Sequence, residues 1–167
     1  MSRWRLDLFG QALPNLSIVE YSRGVAGAMC SKAFADLGSE VIKVEPPSGD
    51  LQRKFGPFPR DQFNIETSGR FIYLNANKKG VTLDLYTQAD YQKFLYLLSA
   101  ADIFVTDLPV RELESLGLDS KVMETDYPAL VAVYITPFGL TGPYSQYEAN
   151  DLIVYHMGGL GYETPWF

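Results

Sequence analysis

The order of β-forming and helix-forming segments near the start of the chain limits its possible folds most strongly. Residues 16–21 and 39–45 are rich in β-branched and apolar side chains, and a glycine loop followed by a helical pattern lies between them. Pro46 and Pro47 end the second run, because proline cannot continue a hydrogen-bonded ladder. This order predicts a β-α-β unit with parallel strands.

The helical pattern between these strands also predicts which side of the helix is buried. Apolar residues recur at i, i+3, i+4 and i+7, and they are Cys30, Ala33, Phe34 and Leu37. We expect this side to face the core. The other side carries Ser31, Lys32, Ala35 and Asp36. Gly38 is expected to end the helix, because glycine is favoured just after the last helical residue.

Strands and helices continue to alternate along the rest of the chain. Strands are predicted at residues 70–75, 81–85, 102–107 and 129–135, and the last is apolar enough to be expected at the centre of the sheet. Helices are predicted after a Thr87/Asp90 capping box, at 112–116, at 119–124 and from Asn150 or Asp151 to the Gly158–Gly159 break. Residues 46–70 form a long connecting segment with functional or partner-contacting potential. The pattern predicts an α/β fold with a mostly parallel sheet and helices on both faces.

Composition argues against several classes of function. The 167 residues suit one domain, and 20 acidic against 14 basic side chains give a net charge of -6, which disfavours nucleic acid and anionic membrane surfaces as partners. One cysteine, Cys30, and one histidine, His156, argue against a disulfide and against metal sites rich in these residues. No apolar run approaches the roughly 20 residues of a membrane-spanning helix. We expect a cytoplasmic protein without a resident metal.

Two loops carry groups suited to an anionic ligand, and each has a plain structural alternative. Residues 23–27 do not match Gly-x-Gly-x-x-Gly, but they precede a helix start. Their backbone N–H groups can receive an anionic or thioester-bearing ligand, or the loop is an ordinary β-α turn. Residues 75–79 offer two amides and two ammonium groups for phosphates, or form a solvated hairpin turn. His156 is interpreted as part of a half-buried helix face and Cys30 as a buried small hydrophobe.

Several short motifs gain meaning when they are taken together in order. They are residues 18–45, 48–50, 75–79, 83–85, 113–117, 127–131 and 138–144. Together they resemble the N-terminal part of the class III CoA-transferases, which include formyl-CoA transferase, the carnitine CoA-transferases and α-methylacyl-CoA racemase. The resemblance implies a Rossmann-like three-layer sandwich, truncated relative to the family. It further implies an N-terminal extension at residues 1–15 and an incomplete CoA-binding domain at residues 16–167.

The resemblance also implies a site for coenzyme A or an acyl-CoA substrate. By their positions in the family motifs, the residues near the thioester are Val25 and Ala26, and those that line the CoA site are Leu83, Asp84 and Leu85. Basic side chains are chemically suited to the CoA phosphates. The available ones are Arg53, Lys78 and Lys79.

This chain departs from the family pattern at positions that bear on the site. Asp107 and Leu108 stand where family members usually carry an asparagine and an aromatic residue, and Ser115 stands where an arginine is frequent. These changes weaken adenine and phosphate contacts, since a carboxylate repels phosphate. Asn150 and Asp151 replace the His-Asp pair of the racemase branch, and an amide cannot take up an α-proton. A transferase relationship is therefore favoured over a racemase.

In this family an aspartate carboxylate attacks the acyl-CoA and then carries CoA as a thioester, which is nucleophilic covalent catalysis. The resemblance places that aspartate beyond Phe167, so we expect no catalytic residue within the chain and no activity from the chain alone. The expected function is the CoA-binding part of a transferase acting on an acyl-CoA and a carboxylic acid, as a homo-oligomer or with the remainder of a longer chain. The alternative is a degenerate, non-catalytic family domain for assembly or regulation.

Overall fold

A computed structural model describes residues 12–163 and shows an α/β architecture. The strands are β1 (Ser17–Tyr21), β2 (Glu40–Glu45), β3 (Lys79–Thr82), β4 (Ile103–Thr106) and β5 (Val131–Tyr134). The helices are α1 (Val25–Asp36), α2 (Gly69–Asn75), α3 (Gln88–Ser99), α4 (Val110–Leu116), α5 (Ser120–Asp126) and α6 (Asp151–Met157). Two short 3₁₀ turns, Leu51–Lys54 and Pro59–Asp61, lie in the connecting segment after β2. No helix among residues 12–163 is long and apolar enough to cross a bilayer.

Within residues 12–163 the five strands are all parallel and lie in the order β3-β2-β1-β4-β5. The predicted α/β class with a mostly parallel sheet is confirmed. The chain runs outward from β1 to β2 and β3, and then crosses to the other side of β1 to form β4 and β5. The strand order therefore reverses between β1 and β4, which is where ligands enter open α/β sheets.

Alternating residues of the strands fill two cores, one on each face of the sheet. Val19 of β1 and Phe104 of β4 pack with α3, α4 and α5 on one face. Ile18 and Val105 pack with Ala35 of α1 on the other. Helices lie on both faces, as the residue pattern predicted, and give the three layers that the resemblance implied.

The predicted buried face of α1 is wrong. Its buried residues are Gly27, Ala28, Ser31, Lys32 and Ala35. Of the four residues expected in the core, Ala33 and Leu37 are exposed, while Cys30 and Phe34 are half-buried against the second core. Polar partners explain the difference. The Ser31 hydroxyl donates to Glu20 Oε2 at 2.6 Å, and the Lys32 ammonium bonds Asp36 and lies 5.3 Å from the centre of the Tyr73 ring.

The strand predicted at residues 70–75 is the helix α2. Ser68 caps it, because its hydroxyl accepts from the Phe71 N–H at 3.1 Å, and Leu74 buries its side chain. The strand predicted at 81–85 is β3, which spans Lys79–Thr82 and so begins and ends earlier than predicted. The segment 75–79 consequently joins a helix to a strand, and the hairpin-turn interpretation of it is wrong.

Three smaller expectations are also corrected. β5 lies at an edge of the sheet rather than at its centre, and Val131 is 59% exposed. α3 begins after Thr87 without the predicted capping box, because Asp90 Oδ2 accepts from the Asp84 N–H instead. His156 is exposed together with the rest of α6, although Asn150 caps that helix as predicted.

Candidate functional site at the carboxyl ends of β1 and β4

The loops that follow β1 and β4 meet at the point where the strand order reverses. Residues 22–24 leave β1 and lead directly into α1, and Asp107 leaves β4 ahead of α4. The adjacent strands place both loops at the same edge of the sheet. We call this region the switch-point crevice, defined by residues 22–27 and 107–112.

Asp107 ties the two loops together through its carboxylate. Oδ1 accepts from the Arg23 N–H at 2.8 Å. Oδ2 accepts from the Gly24 N–H at 2.9 Å and from the Gly27 N–H at 3.2 Å. These N–H groups belong to the glycine loop that the sequence offered to an anionic ligand, and here a carboxylate of the chain itself accepts from them.

The two glycines leave the space that this contact needs. A Cβ atom on Gly24 would lie 2.6 Å from Asp107 Oδ2, and one on Gly27 would lie 3.0 Å from the same oxygen. On Gly27 it would also lie 2.5 Å from the Ser22 Cβ. Any side chain at either position would therefore displace the carboxylate or the strand end.

A second carboxylate holds the side chain of the same loop. Arg23 donates from Nη1 to Glu112 Oε2 at 3.0 Å and from Nη2 to Oε1 at 2.5 Å, and the Tyr86 hydroxyl donates to Oε1 at 3.0 Å. The hydrogen bond to Glu112 raises the pKa of Tyr86. Sequence reasoning missed Glu112, and no local pattern could have shown it, because it is 89 positions from Arg23.

Two openings flank the crevice. One has a volume of about 380 Å³ and is lined by Asp107, Leu108 and Arg111 together with residues 136–137 and 145–149. The other has about 520 Å³ and lies between residues 85–88 and 114–117. The second opening brings the predicted Leu85 next to Ser115.

A buried ionic network lies beneath the loop, on the α1 face of the sheet. Lys78 donates to Glu20 Oε2 at 2.8 Å, to the Ala28 carbonyl at 2.7 Å and to Asn75 Oδ1 at 3.0 Å, and its side chain is 1% exposed. Burial lowers the pKa of Lys78, while Glu20 opposes that change. The ammonium predicted to hold a phosphate is thus occupied by internal partners.

The other two predicted phosphate ligands are also engaged within the chain. Arg53 bonds both oxygens of Glu45 at 2.7 and 2.9 Å, and its guanidinium lies 3.6 Å from the centre of the Phe71 ring. Lys79 is exposed and pairs with Glu40 at 2.6 Å. Glu40 begins β2 and Lys79 begins β3, so this pair lies at the amino edge of the sheet, opposite the crevice.

The remaining predicted residues divide between the crevice and the core. Val25 and Ala26 are exposed at the start of α1. Leu83 and Leu85 are buried in the first core, as is Leu108. Asp84 is half-buried, and its Oδ1 accepts from the Tyr86 N–H at 3.1 Å. Asn150 and the exposed Asp151 begin α6, directly after the lining of the smaller opening.

A parallel three-layer sandwich with its loops gathered at such a crevice is a Rossmann-like α/β fold. Residues 13–165 match the model of CoA-transferase family III, and the chain belongs to that family. The predicted family is confirmed.

The curated relatives are CoA-transferases. The chain is 37% identical to the BbsE subunit of succinyl-CoA:(R)-benzylsuccinate CoA-transferase from Thauera aromatica, over 90% of this chain and 36% of that protein. It is 33% identical to (R)-2-hydroxy-4-methylpentanoate CoA-transferase from Clostridioides difficile, over 88% of this chain and 37% of that protein. The chain thus spans little more than a third of the length of these relatives.

Solved structures share the fold. A CAIB/BAIF family protein from Brucella suis matches with a TM-score of 0.78 and 32% identity, over 88% of this chain and 39% of that one. A Mycobacterium tuberculosis protein in an orthorhombic crystal form matches with a TM-score of 0.80 and 29% identity, over 93% of this chain and 43% of that one.

Proposed function

We propose that this chain is the CoA-binding domain of an enzyme that moves CoA between carboxylic acids. The match of residues 13–165 to CoA-transferase family III carries the proposal. The parallel sheet supports it, because its strand order reverses at a crevice open to solvent on either side.

In this proposal the CoA molecule lies along the carboxyl ends of the strands. The thioester end faces the exposed Val25 and Ala26, and the nucleotide end enters one of the two openings, beside Leu85 or beside Arg111. Phosphate contact by Arg53 or Lys78 requires each to exchange an internal carboxylate for the phosphate, and Lys79 lies at the opposite edge of the sheet from this CoA path.

Arg111 is a further candidate for a phosphate contact. It lines the smaller opening, and its Nε donates to the neutral Gln146 amide at 3.0 Å. An arginine held by a neutral group loses less when a phosphate replaces its partner than one held by a carboxylate. We therefore add Arg111 to the proposed phosphate ligands.

The proposed chemistry is attack by an aspartate carboxylate on the acyl-CoA thioester. The first step forms a mixed anhydride and expels the CoA thiolate. The thiolate then attacks the aspartyl carbonyl, which releases the first carboxylic acid as its carboxylate and leaves an aspartyl-CoA thioester. The second acid takes CoA through the same two steps in reverse.

The two carboxylates of the switch-point crevice are poorly suited to be that nucleophile. Asp107 accepts three backbone N–H groups, and Glu112 is held by Arg23 and Tyr86. Hydrogen bonds of this kind stabilise the carboxylate charge and reduce its reactivity. We propose that the nucleophile is supplied from outside the crevice residues described.

A second candidate is a non-catalytic family domain that serves assembly or regulation. The Asp107 carboxylate accepts from N–H groups of the loop that is expected to face the thioester. This contact favours the second candidate. The name of the Thauera aromatica relative also describes one subunit of an enzyme. A domain retained for assembly keeps the fold without binding CoA.

Calorimetric titration of the chain with CoA at low and high salt separates the two candidates. The first predicts binding that weakens with salt, because phosphate contacts to exposed basic groups are screened. Ala26→Trp should abolish this binding by filling the start of α1, and Ala33→Trp, which changes an exposed alanine nearer the end of the same helix, should not. A folded chain that does not bind CoA would support the second candidate.

Turnover assays test the proposed place of the nucleophile. The chain is incubated with several pairs of acyl-CoA and carboxylic acid, and the products are separated by chromatography. We expect no CoA transfer above a control without protein. Transfer by the chain alone would show that one of its own groups is the nucleophile.

A further inference from the structure

The Asp107 carboxylate accepts three backbone N–H groups at the start of α1. We propose that Asp107 is a specificity-determining positioning residue. Its carboxylate fixes the loop 23–27 in shape and keeps anionic groups away from it, so that the loop faces a neutral part of the ligand. The identity of that neutral part rests on the proposed function, whereas the exclusion of anions does not.

Asp107 already accepts from the backbone N–H groups that an external anion would need. The N–H groups of Arg23, Gly24 and Gly27 point to one carboxylate at 2.8 to 3.2 Å. Free N–H groups and the positive end of the helix dipole favour a negative charge at this point. Asp107 supplies that charge from β4, and a phosphate or carboxylate arriving from solvent would meet a like charge on groups already bonded.

The two glycines of the loop leave the space that the Asp107 carboxylate occupies. Gly24 and Gly27 are the two positions where a Cβ would approach Asp107 Oδ2 to 2.6 and 3.0 Å. Arg23 is in addition held by Glu112, so two carboxylates from the segment after β4 fix one loop. The loop 23–27 therefore holds this conformation without a bound ligand.

This arrangement divides the crevice by charge. Val25 and Ala26 are exposed at the start of α1 and can contact a neutral thioester carbonyl or pantetheine amide. The phosphates of CoA must then lie away from this helix start. Asp107 thus selects which end of the substrate approaches α1.

Chemical rescue by formate tests the exclusion. Asp107→Ala removes the carboxylate and leaves its three N–H donors and its space for a small anion. We expect this variant to unfold at a lower temperature than the wild type, and formate to raise its unfolding temperature along a saturable curve. At equal ionic strength, chloride should raise it less. Formate should bind the variant at least tenfold more tightly than it binds the wild type.

Two variants serve as controls. Asp102→Ala removes another β4-flanking carboxylate that accepts from the backbone of β1, at the Ser17 N–H and at 2.8 Å, but lies away from any helix start. Asp107→Asn keeps the shape and fills the space without the charge. Neither should be rescued by formate. Saturable rescue of Asp102→Ala equal to that of Asp107→Ala would overturn the proposal.

A measurement on the wild type keeps the test independent of the variant's folding. Inorganic phosphate is titrated into ¹⁵N-labelled chain, and the amide signals of Gly24 and Gly27 are followed by NMR. We expect them not to shift, and saturable shifts would overturn the proposal. If Asp107→Ala refolds only with formate present, the refolding yields in formate and in chloride are compared instead of the unfolding temperatures. Equal yields would overturn the proposal. These experiments contain no CoA, so their failure is distinct from failure of the proposed function.

Discussion

The Lys43 ammonium lies 2.8 Å from Glu20 Oε1, and the two side chains are 2% and 0% exposed. Each depends on further buried partners, since Lys43 also lies 2.6 Å from Asp50 Oδ2 and Glu20 Oε2 lies 2.8 Å from Lys78 Nζ. The network joins β1, β2 and the segment before β3 directly under the start of α1. Burial of an isolated ion costs several kcal/mol, so the charges are stable only as a set.

Glu20→Gln should strongly destabilise the fold, because it leaves two buried ammonium groups without their shared carboxylate. We expect a loss of about 3–5 kcal/mol in the free energy of unfolding, measured by urea denaturation. Glu40→Gln is the matched control, since Glu40 pairs with Lys79 at the exposed amino edge of the sheet. Its loss should stay below about 1 kcal/mol. Equal losses would show that the buried network contributes no more than a surface pair.

The same carboxylate predicts a loss of stability in acid. Burial would raise the pKa of Glu20, but Lys43 and Lys78 outweigh it and lower the pKa from 4.5 to about 2. A carboxyl group whose folded pKa is lowered stabilises the fold above its unfolded pKa. That stabilisation is lost as the pH falls from 4.5 towards 2. Urea midpoints measured between these pH values should fall steeply for the wild type and less for Glu20→Gln. Parallel curves would contradict the assignment.

Gly27→Ala should destabilise the chain even though it lies within a helix. Helix propensity alone favours alanine by about 1 kcal/mol. The added methyl group would lie 2.5 Å from the Ser22 Cβ and 3.0 Å from Asp107 Oδ2, and overpacking of this kind costs roughly 1–3 kcal/mol. The measurement is the free energy of unfolding. Gly80→Ala, where nothing lies within 4 Å of the new methyl group, should be neutral or stabilising.

Periodicity predicts most helices and strands of this fold, but not which of their residues are buried or where each strand lies in the sheet. The β-α-β unit, the Gly38 stop and the Asp119 cap of α5 agree with the structure, because each depends on neighbouring residues. The buried face of α1 was misjudged because Ser31 finds its hydrogen-bond partner in Glu20, on another element. The edge position of β5 depends on strand order, which no single segment encodes.

The candidate site likewise combines features that neighbouring residues indicate with contacts that depend on distant elements. The glycine loop was recognisable from residues 23–27 alone, and the family from motifs spread along the chain. Charge alone indicates Lys78 and Arg53 as phosphate ligands, but Glu20 and Glu45, carboxylates of other elements, already hold them. Its charge predicts that Asp107 repels phosphate, and the structure adds that its carboxylate accepts from the loop after β1, which lies 80 to 84 positions away.

The apolar side chains of α6 face solvent. Leu152, Ile153, Val154 and Met157 are 65%, 41%, 41% and 56% exposed, and Leu160 just beyond the helix is 60% exposed. Contiguous exposed apolar patches on soluble chains usually mark contact surfaces. We expect the chain to self-associate through this helix.

Light scattering coupled to gel filtration across a dilution series measures this association. The mass should rise above 18.7 kDa with concentration. Leu152→Glu combined with Met157→Glu should return it to the monomer value and leave the unfolding temperature unchanged, because neither side chain is buried. Tyr96→Glu on α3, 74% exposed, is the matched control and should not alter the mass. A wild-type chain that stays monomeric at high concentration and binds no hydrophobic dye would contradict the prediction. Its exposed α6 would then be tolerated in water without a partner.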